Sequence, residues 1–133
     1  MIEHVEGPVQ FLKDIEQLLN EDGEAIIGTP TDAPVMRQML GNIYEKKLLF
    51  STQHLWIFSK KNLDMMAREA GFSQIEIRYF QRYGLNNFIG WMKEQTACGE
   101  PYYPFVSDTM NAVWKSEISR QGLSDYIVLY VKK

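Results

Sequence analysis

The run that most limits what this chain can become is Ile2 to Pro30, IEHVEGPVQFLKDIEQLLNEDGEAIIGTP. It reads as the end of a strand, a turn, an amphipathic helix, a glycine-marked turn and a buried strand. Pro8 suits a first helical turn, where its missing N–H has no partner to lose. Val9, Phe11, Leu12, Ile15, Leu18 and Leu19 recur at helical spacing and form one apolar stripe. Asp14, Glu16 and Gln17 fall largely on the opposite side. Asn20 to Gly23 breaks the helix. Ala25-Ile26-Ile27-Gly28 is a short apolar run that suits a strand covered on both faces better than a solvated edge. Thr29-Pro30 stops it.

The rest of the chain alternates helix and strand. Thr31 to Ser51 holds a short helix through Val35, Met36, Met39 and Leu40, ending near Gly41. From Ile43 to Phe50 the pattern fits helix or extended loop. Ser51 to Phe58 leads to Ser59, an N-cap for a helix over 60–70 with Leu63, Met66 and Ala67 inside and Gly71 at C′. Ser73 to Tyr83 alternates as a strand. Leu85 to Gln95 and Asp108 to Gln121 are helical, separated by a Gly/Pro loop over 96–104. The final strand, Asp125 to Lys132, is apolar on both faces, which places it inside a sheet rather than at its rim.

The chain of 133 residues suits one α/β domain spanning 1–133. A net charge of −3 gives no reason to expect a nucleic-acid partner. The one cysteine, Cys98, excludes an internal disulfide and a cysteine-rich metal site. No basic, apolar leader follows Met1, and no run approaches the roughly 20 apolar residues of a membrane helix. A cytoplasmic, soluble protein with no membrane partner is the expectation.

The ordered set Glu3-His4-Val5, Pro8, Phe11-Leu12, Leu18-Leu19, Asp22-Gly23-Glu24, Ile26-Ile27 and Thr29-Pro30 resembles the second half of class I S-adenosylmethionine-dependent methyltransferases. The style is that of the ubiquinone-biosynthesis and small-molecule or sugar-tailoring branch. The similarity continues at His54-Leu55 with Phe58-Ser59, at Leu63, at Ala70-Gly71-Phe72 and at Ser124-Asp125. It implies a partial Rossmann-like sheet of three main strands, with the last inserted antiparallel between the other two and helices packed on the faces. It also implies S-adenosylmethionine as cofactor and a small-molecule acceptor. The glycine-rich turn that lets a backbone approach that cofactor is missing, because the nine glycines are scattered. Cofactor binding is therefore expected to need a missing N-terminal half, supplied in trans or by a longer parent. A hydrophobic outer edge on the Ala25 strand has to be covered. The candidates are the N-terminal segment, that missing half, or a second copy in a homodimer.

By the resemblance, Glu3 and His4 follow the family's fourth strand and line the cleft between cofactor and acceptor. A histidine there can take a proton from an acceptor hydroxyl, with Glu3 orienting it or helping to hold a divalent cation. The other reading is an idle, frayed terminus. No set of metal ligands is assigned. Thr29, at the end of its strand, is placed with the acceptor contacts by the same resemblance. His54 can face the acceptor or hydrogen-bond its own loop. Arg82 and Tyr83 lie past a strand end, where Arg can bind a carboxylate or phosphate, or the segment with Asn86 and Asn87 is an ordinary turn and helix cap. Trp91, Trp114, Tyr102 and Tyr103 can stack on a flat acceptor or serve as packing. Two functions compete: the acceptor-side half of a methyltransferase, or a non-catalytic oligomeric remnant or interaction module that binds no cofactor.

Overall fold

The computed structural model describes residues 1–50 and 53–133. The expected lead into the helix entry at Ser51 and Thr52 lies outside the described residues. A 3-10 turn, Ile2–His4, is followed by α1 (Pro8–Leu18), β1 (Glu24–Pro30), α2 (Pro34–Leu40) and α3 (Asn42–Tyr44). A π-helical turn covers Glu45–Leu49; then come α4 (Lys60–Ala70), β2 (Gln74–Phe80), α5 (Leu85–Glu94), α6 (Asp108–Arg120) and β3 (Tyr126–Lys132).

The sheet has the order β1-β3-β2, with β3 antiparallel to both neighbours. Ile27 faces Leu129, which faces Ile77 in turn. The expected insertion of the last strand is therefore found. Its cause is the apolar character of both faces of β3. Ile127, Leu129 and Val131 are essentially inaccessible to solvent, and burying each such side chain contributes about 1.5–3 kcal/mol. A segment of this kind is poorly placed at a solvated rim.

One face of the sheet carries Ala25, Ile27, Ile75 and Ile77 with the buried β3 residues. It packs with Leu12 of α1 and with Leu63, Ala67 and Ala70 of α4. Ser59 caps α4 by accepting a bond from Asn62 N–H at 3.2 Å. Gly71 ends α4 at φ 104°, in the left-handed region that favours glycine, and turns Phe72 back into the core. A second apolar cluster gathers Ala33, Met36, Tyr44, Leu49 and Trp91 between α2, α3, the π turn and α5. The stretch after Tyr44, ambiguous in sequence, is thus helical.

Some expectations do not hold. Ile2 to His4 is a 3-10 turn, not a strand end. Its backbone is nonetheless tied down. Glu3 C=O accepts from Leu55 N–H at 2.8 Å, Trp56 Nε1 donates to Val5 C=O at 2.8 Å, and Ile2 is fully buried. A frayed terminus is excluded by these contacts. Among the described residues β1 pairs on one side only and exposes Ile26 at 63%, so it is not covered on both faces by them. Pro30 extends β1 rather than stopping it and sits opposite Tyr126. Its missing N–H is tolerated because β1 is a rim strand. Leu18 falls outside the buried stripe because α1 ends there and its side chain points to solvent. On α6 only Ile118 is buried, and Met110 and Val113 face outward.

Candidate functional site

The C-terminal ends of β1 and β2 and the start of β3 meet at one rim of the sheet. A cleft of about 230 Å³ opens there. Glu3, Thr31, Leu49, His54, Arg82, Tyr83, Asp125 and Tyr126 line it. Ligands of open α/β sheets collect at this end of the strands. The volume is below the common range for sites that enclose a drug-sized ligand.

Of Glu3, His4, Thr29, His54, Arg82 and Tyr83, the residues given site roles from sequence, four line this cleft: Glu3, His54, Arg82 and Tyr83. Thr29 lies behind it, fully buried, and donates its hydroxyl to Glu3 Oε2 at 3.1 Å. His4 stands beside it, with Nε2 3.4 Å from Glu3 Oε1 and its ring centroid 5.2 Å from that of His54. Residues more than 75 positions apart in sequence are thereby brought to one place, by β3 lying between β1 and β2.

The 3-10 turn is what aims Glu3 inward. Burial disfavours its charged form. Against that act the hydrogen bond from the Met1 amino group, the one from its own backbone and the Thr29 hydroxyl, which together hold the carboxyl below its ordinary value. Both histidine rings are held from behind. His4 Nδ1 bonds Gln53 C=O, and His54 Nδ1 bonds Leu49 C=O at 3.0 Å. A carbonyl can only accept, so each Nδ1 is the donor, and His4 Nε2 is turned toward Glu3. His54 therefore does bond its loop while its ring also borders the cleft.

Arg82 anchors the other wall. Its backbone N–H donates to Asp125 Oδ1 at 3.0 Å. Its guanidinium lies over the Tyr126 ring at 4.4 Å and near the Tyr83 ring at 5.4 Å. Among the described residues its buried Nε has no hydrogen-bond partner, although Asp125 Oδ2 stands 3.9 Å away. Burial pushes the Asp125 carboxyl above the usual range, even though the Arg82 N–H and guanidinium pull the other way. The Tyr126 ring lies across Gly28, where any Cβ would come within 2.5 Å of it, so β1 needs a glycine at that position.

The remaining candidates lie elsewhere. Trp91 is core, edge-on to Tyr44 at 5.1 Å, and Trp114 packs with Phe88. Tyr102 is exposed and does not line the cleft. The Cys98 thiol is raised by burial and packs toward Gly90. The N-cap of α5 is Gly84 rather than Asn86 or Asn87; Asn87 Nδ2 instead donates to Gly99 C=O. Asp125 and Tyr126 went unrecognised as site residues. The signal for them was available, since the antiparallel register sets Tyr126 opposite both Pro30 and Phe80. Tyr44 and Leu49 fell in the stretch without clear periodicity.

The architecture is shared with solved enzymes. One is a SAM-dependent methyltransferase from Thermotoga maritima, described as a possible histamine N-methyltransferase, which superimposes with a TM-score of 0.53 at 20% identity. Another is a SAM-dependent methyltransferase from Archaeoglobus fulgidus, with a TM-score of 0.55 at 17% identity. The fold is that of part of a class I methyltransferase. The match covers 99% and 100% of this chain but only 52% and 56% of those chains, so it spans about half their length. No family model matches the sequence. No curated protein matches it either. Among the described residues no helix is long and apolar enough to cross a membrane.

Proposed function

We propose that this chain supplies the acceptor side of S-adenosylmethionine-dependent methyl transfer to a small molecule. The observation that carries the reading is the convergence of Glu3, His54 and Arg82 on one cleft, with His4 beside it, at the strand ends of a methyltransferase fold. His4, whose Nδ1 is engaged with Gln53 C=O, offers Nε2 as a base for an acceptor O–H or N–H. Glu3, fixed by Thr29, orients it. Arg82 and Tyr83 favour an acceptor that carries a carboxylate or phosphate. The chain's share of the chemistry is placement and deprotonation, since in-line transfer from a sulfonium needs little more than alignment.

The cofactor is held mainly by residues beyond these 133, in a longer chain or a partner in trans. The half-length match and the scattered glycines support this. Calorimetric titration of S-adenosylhomocysteine tests it. The chain alone is expected to give no saturable heat at millimolar ligand. A chain joined to a glycine-rich cofactor-binding half is expected to bind at micromolar strength. Absence of binding by the joined, folded protein favours the remnant reading and overturns this one.

A further inference from the structure

Arg82 is held by contacts that leave its charge uncommitted. Its backbone N–H is tied to Asp125 Oδ1 at 3.0 Å. Among the described residues the guanidinium donates no hydrogen bond, and its buried Nε stands 3.9 Å from Asp125 Oδ2, beyond bonding reach. What flanks it is aromatic. The Tyr126 ring lies 4.4 Å from its central carbon and the Tyr83 ring 5.4 Å. Tyr126 is itself placed by β1. At Gly28 a Cβ would meet Tyr126 Cε1 at 2.5 Å, the hydroxyl oxygen at 2.7 Å and Cζ at 2.9 Å, so the ring crosses there only over a residue that lacks one. Placement thus runs from Gly28 through Tyr126 to a guanidinium with unused donors in the wall of the cleft.

We propose that the anionic group of the acceptor is a carboxylate received by Arg82, and that Tyr126 is the positioning residue that holds the guanidinium for it. Such a subsite rests on the acceptor reading above and narrows its substrate class. The planar fork of an arginine matches the two oxygens of a carboxylate. A phosphate monoester suits the same fork but carries about −1.5 to −2 charges at neutral pH. Among the described residues Arg82 is the one lysine or arginine in the cleft lining, and Glu3 and Asp125 bring carboxyl groups to the same walls. A dianion there gains one cation and meets two acids, whereas a carboxylate takes a single charge into the same field. The ring face of Tyr126 engages the guanidinium plane and leaves every N–H free for the ligand. Its ring does this and its hydroxyl does not.

The test uses the full chain labelled with ¹⁵N and reads the arginine Nε–H resonances, with Arg82→Lys assigning the Arg82 signal. Sodium acetate is the carboxylate probe and inorganic phosphate the comparison, at matched ionic strength and neutral pH. Acetate is expected to shift the Arg82 signal saturably in the millimolar range, and phosphate to bind more weakly. Tyr126→Leu is expected to weaken acetate about tenfold, within the span of a desolvated cation–π contact. It is also expected to abolish the upfield ring-current displacement of the Arg82 side-chain protons. Tyr126→Phe is expected to keep both the affinity and the displacement, with the far-ultraviolet circular dichroism of the variants unchanged. In Arg82→Lys, which keeps the charge and loses the fork, acetate binding followed at the Asp125 and Tyr126 amides is expected to vanish. Absence of a saturable Arg82 shift with acetate, phosphate binding tighter than acetate, or a folded Tyr126→Leu that binds acetate as the native chain does overturns the proposal. S-adenosylhomocysteine binding by the joined protein is read separately, so a failure here and a failure of the methyl-transfer reading are told apart.

Discussion

Thr29 Oγ1 donates to Glu3 Oε2 across 3.1 Å, and both side chains are buried. This bond joins the last turns of β1 to the 3-10 turn that carries the site. It is how a strand end fixes an otherwise terminal carboxylate. Thr29→Val leaves Glu3 buried with one donor fewer. It is expected to lower the unfolding free energy by about 1.5–3 kcal/mol, the range for hydrogen bonds to charged groups. Thr29→Ser is expected to retain most of it. Urea denaturation of the three proteins measures both.

Asp125 gives the fold a pH dependence of unusual sign for a carboxylate. Its folded value is raised by burial, against the Arg82 contacts, so folding takes up a proton between the unfolded and the folded value. Its contribution is fully present below the unfolded value and is lost as pH rises through the folded one. The stability of the wild type relative to Asp125→Asn is therefore expected to fall as pH increases across that window. Thermal midpoints of both proteins taken in parallel from pH 3 to pH 7 give the comparison. A difference that grows with pH contradicts the assignment.

The core was largely legible because its signal is local and strong. A segment apolar on both faces, such as Ile127 to Val131, has few places to go except the middle of a sheet. Ser59 and Gly71 punctuate α4 as their side-chain chemistry dictates. Pro30 was harder, because whether a proline ends a strand or lies along its open rim depends on neighbours that the sequence does not display. The exposure of Ile26 has the same origin. In the site, Glu3, His4, His54, Arg82 and Tyr83 stood out by residue type and by place. Asp125 and Tyr126 did not, since their role comes from register across three strands rather than from any motif.

Core and surface leucines separate cleanly. Leu129 is inaccessible to solvent in the central strand, whereas Leu18 at the end of α1 is 85% exposed. Leu129→Ala is expected to cost about 2–5 kcal/mol. Leu18→Ala is expected to change stability by no more than about 0.5 kcal/mol. Equilibrium denaturation of the two variants tests whether the insertion of β3 organises the core.

The second face of the sheet predicts association. Ile26 and Phe80 are exposed on it, and the outer side of β1 has no strand partner among the described residues. Open apolar edges of this kind are usually covered. We expect the isolated chain to sediment as a dimer, the simplest way to cover them. Ile26→Asp is expected to shift it to the monomer while the circular dichroism spectrum is retained. A monomer at tens of micromolar for the wild type removes the homodimer.

The acceptor role is tested most directly by methyl transfer itself. The chain is joined to a glycine-rich cofactor-binding half, and S-adenosyl-[methyl-³H]methionine is supplied with small amine and hydroxyl acceptors that carry an anionic group. Label is expected to reach an acceptor, and His4→Ala is expected to slow the transfer by roughly 10²–10⁴-fold, the range for loss of assisted proton removal. A joined protein that binds S-adenosylhomocysteine and transfers label equally fast with and without His4 contradicts the account.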